Sequence, residues 1–396
     1  MKKNILLPTL LLFLSIGCFQ NLFAQNYISI GINSGTYGAN AINIGYEAGQ
    51  YNTSTHVTNI GLRAGKVNQG NFNTNIGYEA GILNTTGHAN TFVGFRTAYK
   101  NISGFQNAFF GKDAGFNNTS GNSNTFVGYR SGFNGTTASG NTMIGHTAGL
   151  STTIGEYNTF VGFSTGLFNT IGGANTALGV FAMQKNVSGS DNVIIGNNSG
   201  ENMTSGFGNT FVGRSSGNSN ISGSFNVFLG NNAGANETGN HKLYISNSNT
   251  SSPLIYGDFN TQRLTFNGKV SIGTQNFPSI ISGVDLSAYK LYVQGGILAE
   301  EVRVRTGWAD YVFEENYKLM PLKDVEEFIN INNHLPNVPS ANEVETQGLG
   351  LGEISKVQQE KIEELTLYII ELNKELESQK QKFNELAELV KTNLSK

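Results

Sequence analysis

The sequence is poor in most of the residues that active chemistry requires. Its single cysteine, Cys18, excludes an internal disulfide and any paired-thiolate metal site. Charged residues make up only 13% of the chain and the formal net charge is −3, so no basic surface points to nucleic acid. The five histidines, His56, His88, His146, His241 and His334, are scattered, with no metal-ligand spacing between them. Beyond the N-terminus no apolar run is long enough to cross a bilayer. A catalytic site needs polar groups converging in a pocket, and no such constellation is legible. The adjacent Glu363 and Glu364 are expected on the solvated side of a helix. The sequence therefore predicts no enzyme, with no catalytic, cofactor-binding or metal-binding residue and no cofactor.

What is abundant is glycine, 50 residues of it, and it is periodic. A glycine after an apolar residue falls at 45, 61, 77, 94, 111, 128, 145, 162, 179, 196, 213 and 230, in steps of 16, 16 and then 17 throughout. A short fixed period marks a repeat in which each unit stacks on its neighbours. The unit is too short and too glycine-rich for a helix pair. The pattern predicts an all-β repeat, a parallel β-solenoid (β-roll) of about twelve 16–17-residue coils.

Positions within the unit sharpen this. The residue before the glycine is always apolar, from Ile44 to Val127 to Leu229, and is expected to point into the coil. Three residues after the glycine the side chain is small, as at Ala48 and Ser216. A further glycine often follows (Gly49, Gly115, Gly132), as a corner with positive φ would require. Asparagine recurs four residues before the glycine from Asn73 to Asn226, and stacked amides can form a hydrogen-bonded ladder.

The position two before the glycine starts polar (Asn43, Asn59, Asn75) and becomes aromatic at Phe92, Phe109, Phe126, Phe160, Phe211 and Phe228. By alternation it faces away from the inward ladder. These rings then either cover a second internal wall or bury against other chains, and the second reading predicts a homotrimer contact. Threonines 125, 142, 159 and 176 share the side of the inward apolar ladder, which argues against an ice-binding face.

Outside the repeats, residues 1–24 read as a signal peptide: Lys2 and Lys3, an apolar run from Ile5 to Ile16, then Leu-Phe-Ala before Gln25. Cleavage after Ala24 would remove Cys18, and lipidation at that cysteine is the rival reading. The solenoid head is assigned to 25–239, a β-rich connector to 240–296, a small mixed α/β region to 297–352 and a coiled coil to 353–396. Pro321 is expected to begin a helix, and Ser340 with Glu343 forms a capping box for a second one that Gly348 ends. In the last stretch Ile362, Ile369, Leu376, Phe383 and Val390 occupy heptad position a, and Leu365, Leu372, Gln379, Leu386 and Asn393 position d. Isoleucine at a with leucine at d leans toward two strands.

The repeat, Asn-Thr-x-apolar-Gly followed by Ala-Gly, resembles the head repeats of YadA-like trimeric autotransporter adhesins. That resemblance implies a left-handed β-roll with three chains side by side. The present unit is longer than the usual head repeat of that family, and the chain ends in polar helix where the family carries a membrane barrel. The stretch from Lys290 through WADYVFEENYKL and HLPNVPSANEV to KIEELTLYIIEL resembles the C-terminal region of tail-fibre-like bacterial surface proteins. Together the two imply a non-enzymatic, exported adhesin or fibre head, at the outer membrane surface or extracellular. It would be homotrimeric through the phenylalanine column and through Ile362, Leu365, Ile369, Leu372 and Leu376, with a glycan or matrix ligand and no nucleic acid. The alternative is a purely structural spacer or tail-fibre-like protein of an envelope assembly.

Overall fold

Each coil of the repeat contributes a strand of only three residues, yet stacking turns these strands into one continuous wall. The computed structural model describes residues 27–36 and 38–394; the signal-like segment 1–24 and Cys18 lie outside them. Strands β1 (Ile28–Ile30) to β13 (Val227–Leu229) each contribute three residues and pair with the next in parallel, in unbroken register. The chain is thus a parallel β-solenoid, as its period predicts. The wall runs slightly beyond the expected twelve coils. Gly31, with φ 132°, already acts as a corner glycine before the first regular period.

The period ends near His241 but the sheet does not. Strand β14 (Lys242–Ile245) adds in parallel to β13, and β15 (Ile255–Asp258) and β16 (Arg263–Phe266) continue antiparallel to give sixteen strands. The first part of the expected connector therefore belongs to the same compact unit, which extends through Gly268. Lys242 and Asp258 tie β14 to β15 at 2.7 Å.

The core corrects the expected face assignment. In each strand the central residue points inward and its two neighbours point out. Phe92, Phe109, Phe126, Phe160, Phe211 and Phe228 are fully buried inside their own coil, so they are not a contact between chains. Their rings stack down the axis, Phe109 to Phe126 at 4.5 Å and Phe211 to Phe228 at 4.7 Å. The apolar residues before the glycine, Val127 among them, form an outward ladder, and Phe110, Ile144 and Leu178 are exposed. Asn43, Asn59 and Asn75 sit in the inward column because each amide donates to the one before it, Asn59 to Asn43 and Asn75 to Asn59 at 2.8 Å. A polar start to a column did not mean a column in water.

The expected asparagine ladder is present. Each backbone N–H donates to the previous carboxamide oxygen, as Asn107 does to Asn90 and Asn158 to Asn141. The side-chain N–H groups close the coil onto a glycine carbonyl fourteen residues on, Asn90 to Gly104 at 2.9 Å for example. A second buried column, Asn68, Asn84, Asn101 and Asn118, runs parallel to it with amide-to-amide bonds of 2.7–2.9 Å. Glycine is required at the corner for two reasons. At Gly128 φ is 133°, and an added Cβ would lie 2.3 Å from the Gly145 carbonyl oxygen. At Gly115, φ 57°, a Cβ would strike the Phe109 ring at 2.3 Å.

Residues from Lys269 form a second unit. Strands β17 (Val270–Ile272) and β20 (Leu291–Val293) pair in parallel, and β18 (Ile280–Ile281) and β19 (Val284–Asp285) form a short hairpin. Between residues 297 and 350 the described chain holds helices and no strand, which corrects the expected mixed α/β region. A 3-10 turn (Asp310–Phe313) precedes α1 (Leu322–Asn332), where Pro321 is the cap rather than the first helical residue. Helix α2 (Ala341–Gln347) has the Ser340–Glu343 capping box and stops at Gly348. Helix α3 (Leu351–Leu394) is the long terminal helix.

Candidate functional surfaces

The inside of the solenoid is filled with side chains, so the candidate surfaces of this unit are its outer columns. The strand wall carries two of them. One runs Thr58, Thr74, Thr91, Ala108, Thr125, Thr142, Thr159, Thr176, and the other is the outward aliphatic ladder two residues on. No residue in either column of the wall, from Ile28 to Leu229, is charged.

The next face holds the charge. Two residues after the corner glycines of six successive coils, Gly45 to Gly128, the side chains alternate in sign: Glu47, Arg63, Glu79, Arg96, Asp113, Arg130. Arg63 bridges Glu47 at 3.0 Å and Glu79 at 3.4 Å, and Arg130 lies 3.9 Å from Asp113. Lys66, 2.7 Å from Glu47, is the first cause that holds this carboxyl below its usual range, with Arg63 adding to it against the cost of burial. The signal for it in the sequence is the fixed offset of two residues after the glycine, with the sign changing at each period. These residues sit at positive φ, from Glu47 at 54° to Arg130 at 51°, which tilts them onto the coil corner.

Aromatic rings flank the charges in stacked columns. Tyr78 stacks on Phe95 at 4.9 Å, Tyr99 on Phe116 at 5.0 Å and Phe116 on Phe133 at 5.1 Å. His146 lies between Tyr129 and Phe163 at 4.9 and 5.0 Å. The Arg96 guanidinium is 4.7 Å from the Phe116 ring centre, and Lys112 is 5.6 Å from both Phe95 and Tyr129. His56 and His88 stack likewise on Phe72 and Phe105, so the histidines of the repeats are surface ring partners.

In the second unit the heptad residues Ile362, Leu365, Ile369, Leu372 and Leu376 are all exposed, between 49% and 64%. The expectation for Glu363 and Glu364 is corrected here. Glu363 is buried, and Glu364 accepts from Tyr317 and lies 2.7 Å from Lys361. Glu360, also buried, accepts from Tyr311 and from Asn337 at 3.2 Å. Burial works against the Glu360 anion, but hydrogen bonds from Tyr311, Asn337 and Lys361 outweigh it and hold the carboxyl below its usual range. Tyr311, facing that carboxylate, is pushed up to about 12. This network fastens α3 to the 3-10 turn; a cavity of 200 Å³ beside Lys361 and Tyr368 is lined mainly by apolar side chains such as Leu322, Val325 and Leu335. Among the described residues no group of histidine, cysteine and carboxylate side chains is arranged to hold a metal ion, and no helix is long and apolar enough to cross a membrane.

No protein-family model, curated protein or solved structure matches this chain.

Proposed function

We propose that the protein is a non-enzymatic, exported adhesin or fibre head that attaches to surface glycans or similar material through its repeated outer columns. The observation that carries this is the aromatic and cationic face between Tyr78 and Phe163. Rings stacked from coil to coil turn their edges to solvent, and with Arg96, Lys112 and Arg130 among them they present apolar contact surface and hydrogen-bond donors at a regular interval. Export rests on the signal-like pattern of residues 1–24.

Self-association to a homotrimer is part of the same proposal. Self-association rests on the exposed seam of α3, since the phenylalanine column is internal, and the three-fold order rests on the resemblance of the repeats to trimeric adhesin heads. Several copies would multiply weak single contacts by avidity. The test is retention of the purified chain on immobilised glycans and matrix proteins. Phe116→Ala and Arg96→Ala should each release it, whereas Thr137→Ala, on an exposed loop, should not. Equal retention of all variants, or none by the parent chain, would favour the structural spacer.

A further inference from the structure

The two outward columns of the strand wall differ in kind from the aromatic face. Thr58, Thr74, Thr91, Thr125, Thr142, Thr159, Thr176 and Thr210 present hydroxyls that have no hydrogen-bond partner among the described residues. Another threonine column in the same coils behaves otherwise. Thr85, Thr119, Thr136, Thr153, Thr170 and Thr204 each donate to a carbonyl of the next coil, at 2.9–3.2 Å. Those hydroxyls hold the solenoid together; the wall hydroxyls do not. Beside them runs an aliphatic ladder, and both columns are half-buried or exposed along their length.

Parallel register fixes the repeat of this array at about 4.8 Å along the axis and about 7 Å between columns. The array is rigid, because each strand is bonded on both sides and its inward residue is locked in the core. It is also neutral throughout, whereas the adjoining corner carries alternating charge. A neutral, periodic array of hydroxyl and methyl groups matches a neutral, periodic ligand. A glycan chain is a poorer match, since Phe110 is the one aromatic ring in the wall. A second copy is poorer too. A wall of about thirteen coils and two columns offers on the order of 600 Å², short of the roughly 800 Å² per partner in stable complexes.

We infer that the strand wall binds the ordered water lattice of an ice surface, with Thr hydroxyls taking lattice positions and the flanking methyl groups ordering water between them. This goes beyond attachment through the aromatic face and uses different residues. The uninterrupted stretch Thr125, Thr142, Thr159, Thr176 is its centre.

The experiment uses the full chain lacking residues 1–24 and measures inhibition of ice recrystallisation, together with adsorption of fluorescently labelled protein to a growing ice crystal. The parent chain should coat the crystal and inhibit recrystallisation. Thr142→Tyr with Thr159→Tyr, which raises rings from the middle of the wall, should need about tenfold more protein or worse, because contacts along the array act together. Thr137→Tyr, off the wall, should leave inhibition unchanged, and unfolding curves should show all three chains folded. A parent chain that leaves ice growth untouched would overturn the inference, as would wall variants that match it. So would wall variants that change only the solution mass or only retention on insoluble polysaccharide, which would assign the wall to a second copy or a glycan.

Discussion

Phe126 and Val127 are neighbours in one strand, and the fold makes opposite demands on them. Phe126 lies fully buried between Phe109 and Met143, while Val127 is half-buried on the wall. Phe126→Asp should cost at least about 3 kcal/mol, as loss of a buried ring does even before a charge is added, and should unfold the surrounding coils in a urea titration. Val127→Asp should cost about 1 kcal/mol or less. Reversed magnitudes would return the ring column to the outside. Asn141 is a second sensitive residue: its backbone N–H donates to Asn124, and its side chain to Gly155 at 2.9 Å. Asn141→Leu leaves the Gly155 carbonyl without that donor inside the coil and should destabilise by about 1–3 kcal/mol, read from the same titration. A change near zero would mean that water replaces the ladder.

At the scale of elements, the 17-residue period, the corner glycines and the asparagine column could all be read from the sequence, because each recurs at one fixed offset. The capping box of α2 was legible for the same reason, Ser340 and Glu343 being three residues apart. The parity of the strand was not. Alternation says that Phe126 and Val127 face opposite ways but not which way is in, and β-branched Val looked more like core than a column beginning with asparagine. Only the amide ladder through Asn43, Asn59 and Asn75 explains how that column can be internal. The carboxylate–tyrosine network depends on contacts between distant positions, such as Tyr311 with Glu360, that local spacing does not reveal. That network has a pH signature. The folded pKa of Glu360 lies below its unfolded value, so its contribution is present above the ordinary glutamate range and is lost as pH falls through the depressed value. Tyr311 works at the other end: its folded pKa is raised, so its contribution is full below about 10 and is lost as pH rises through about 12. Tyrosine fluorescence of the second unit should therefore stay constant through neutrality and change at both extremes. Glu360→Gln should weaken the acid transition, leaving the part due to Asp285 and Glu343, whose carboxyls are also held low; an unchanged transition would place it elsewhere.

For the whole molecule, the exposed seam of α3 predicts that the chain does not work alone. Light scattering should return three times the chain mass, and Ile369→Asp, which puts a charge into the seam, should lower it to that of one chain. A monomeric parent would remove the helix from the assembly argument, and a dimer would favour the two-strand preference of its a and d residues. The solenoid itself should be indifferent to that substitution, since its core is complete within one chain. The proposed function links assembly to attachment through avidity: weak binding by each copy would become firm only when copies are joined. The most direct test of that account is the attachment of beads to a glycan-bearing surface under flow. Beads carry either the chain from residue 25 onward or the same chain ending before residue 351. The account predicts firm attachment by the first, loss of most of it by the second, and loss by the first when Phe116→Ala and Arg96→Ala are combined. Detachment of every bead as readily as bare ones would contradict it.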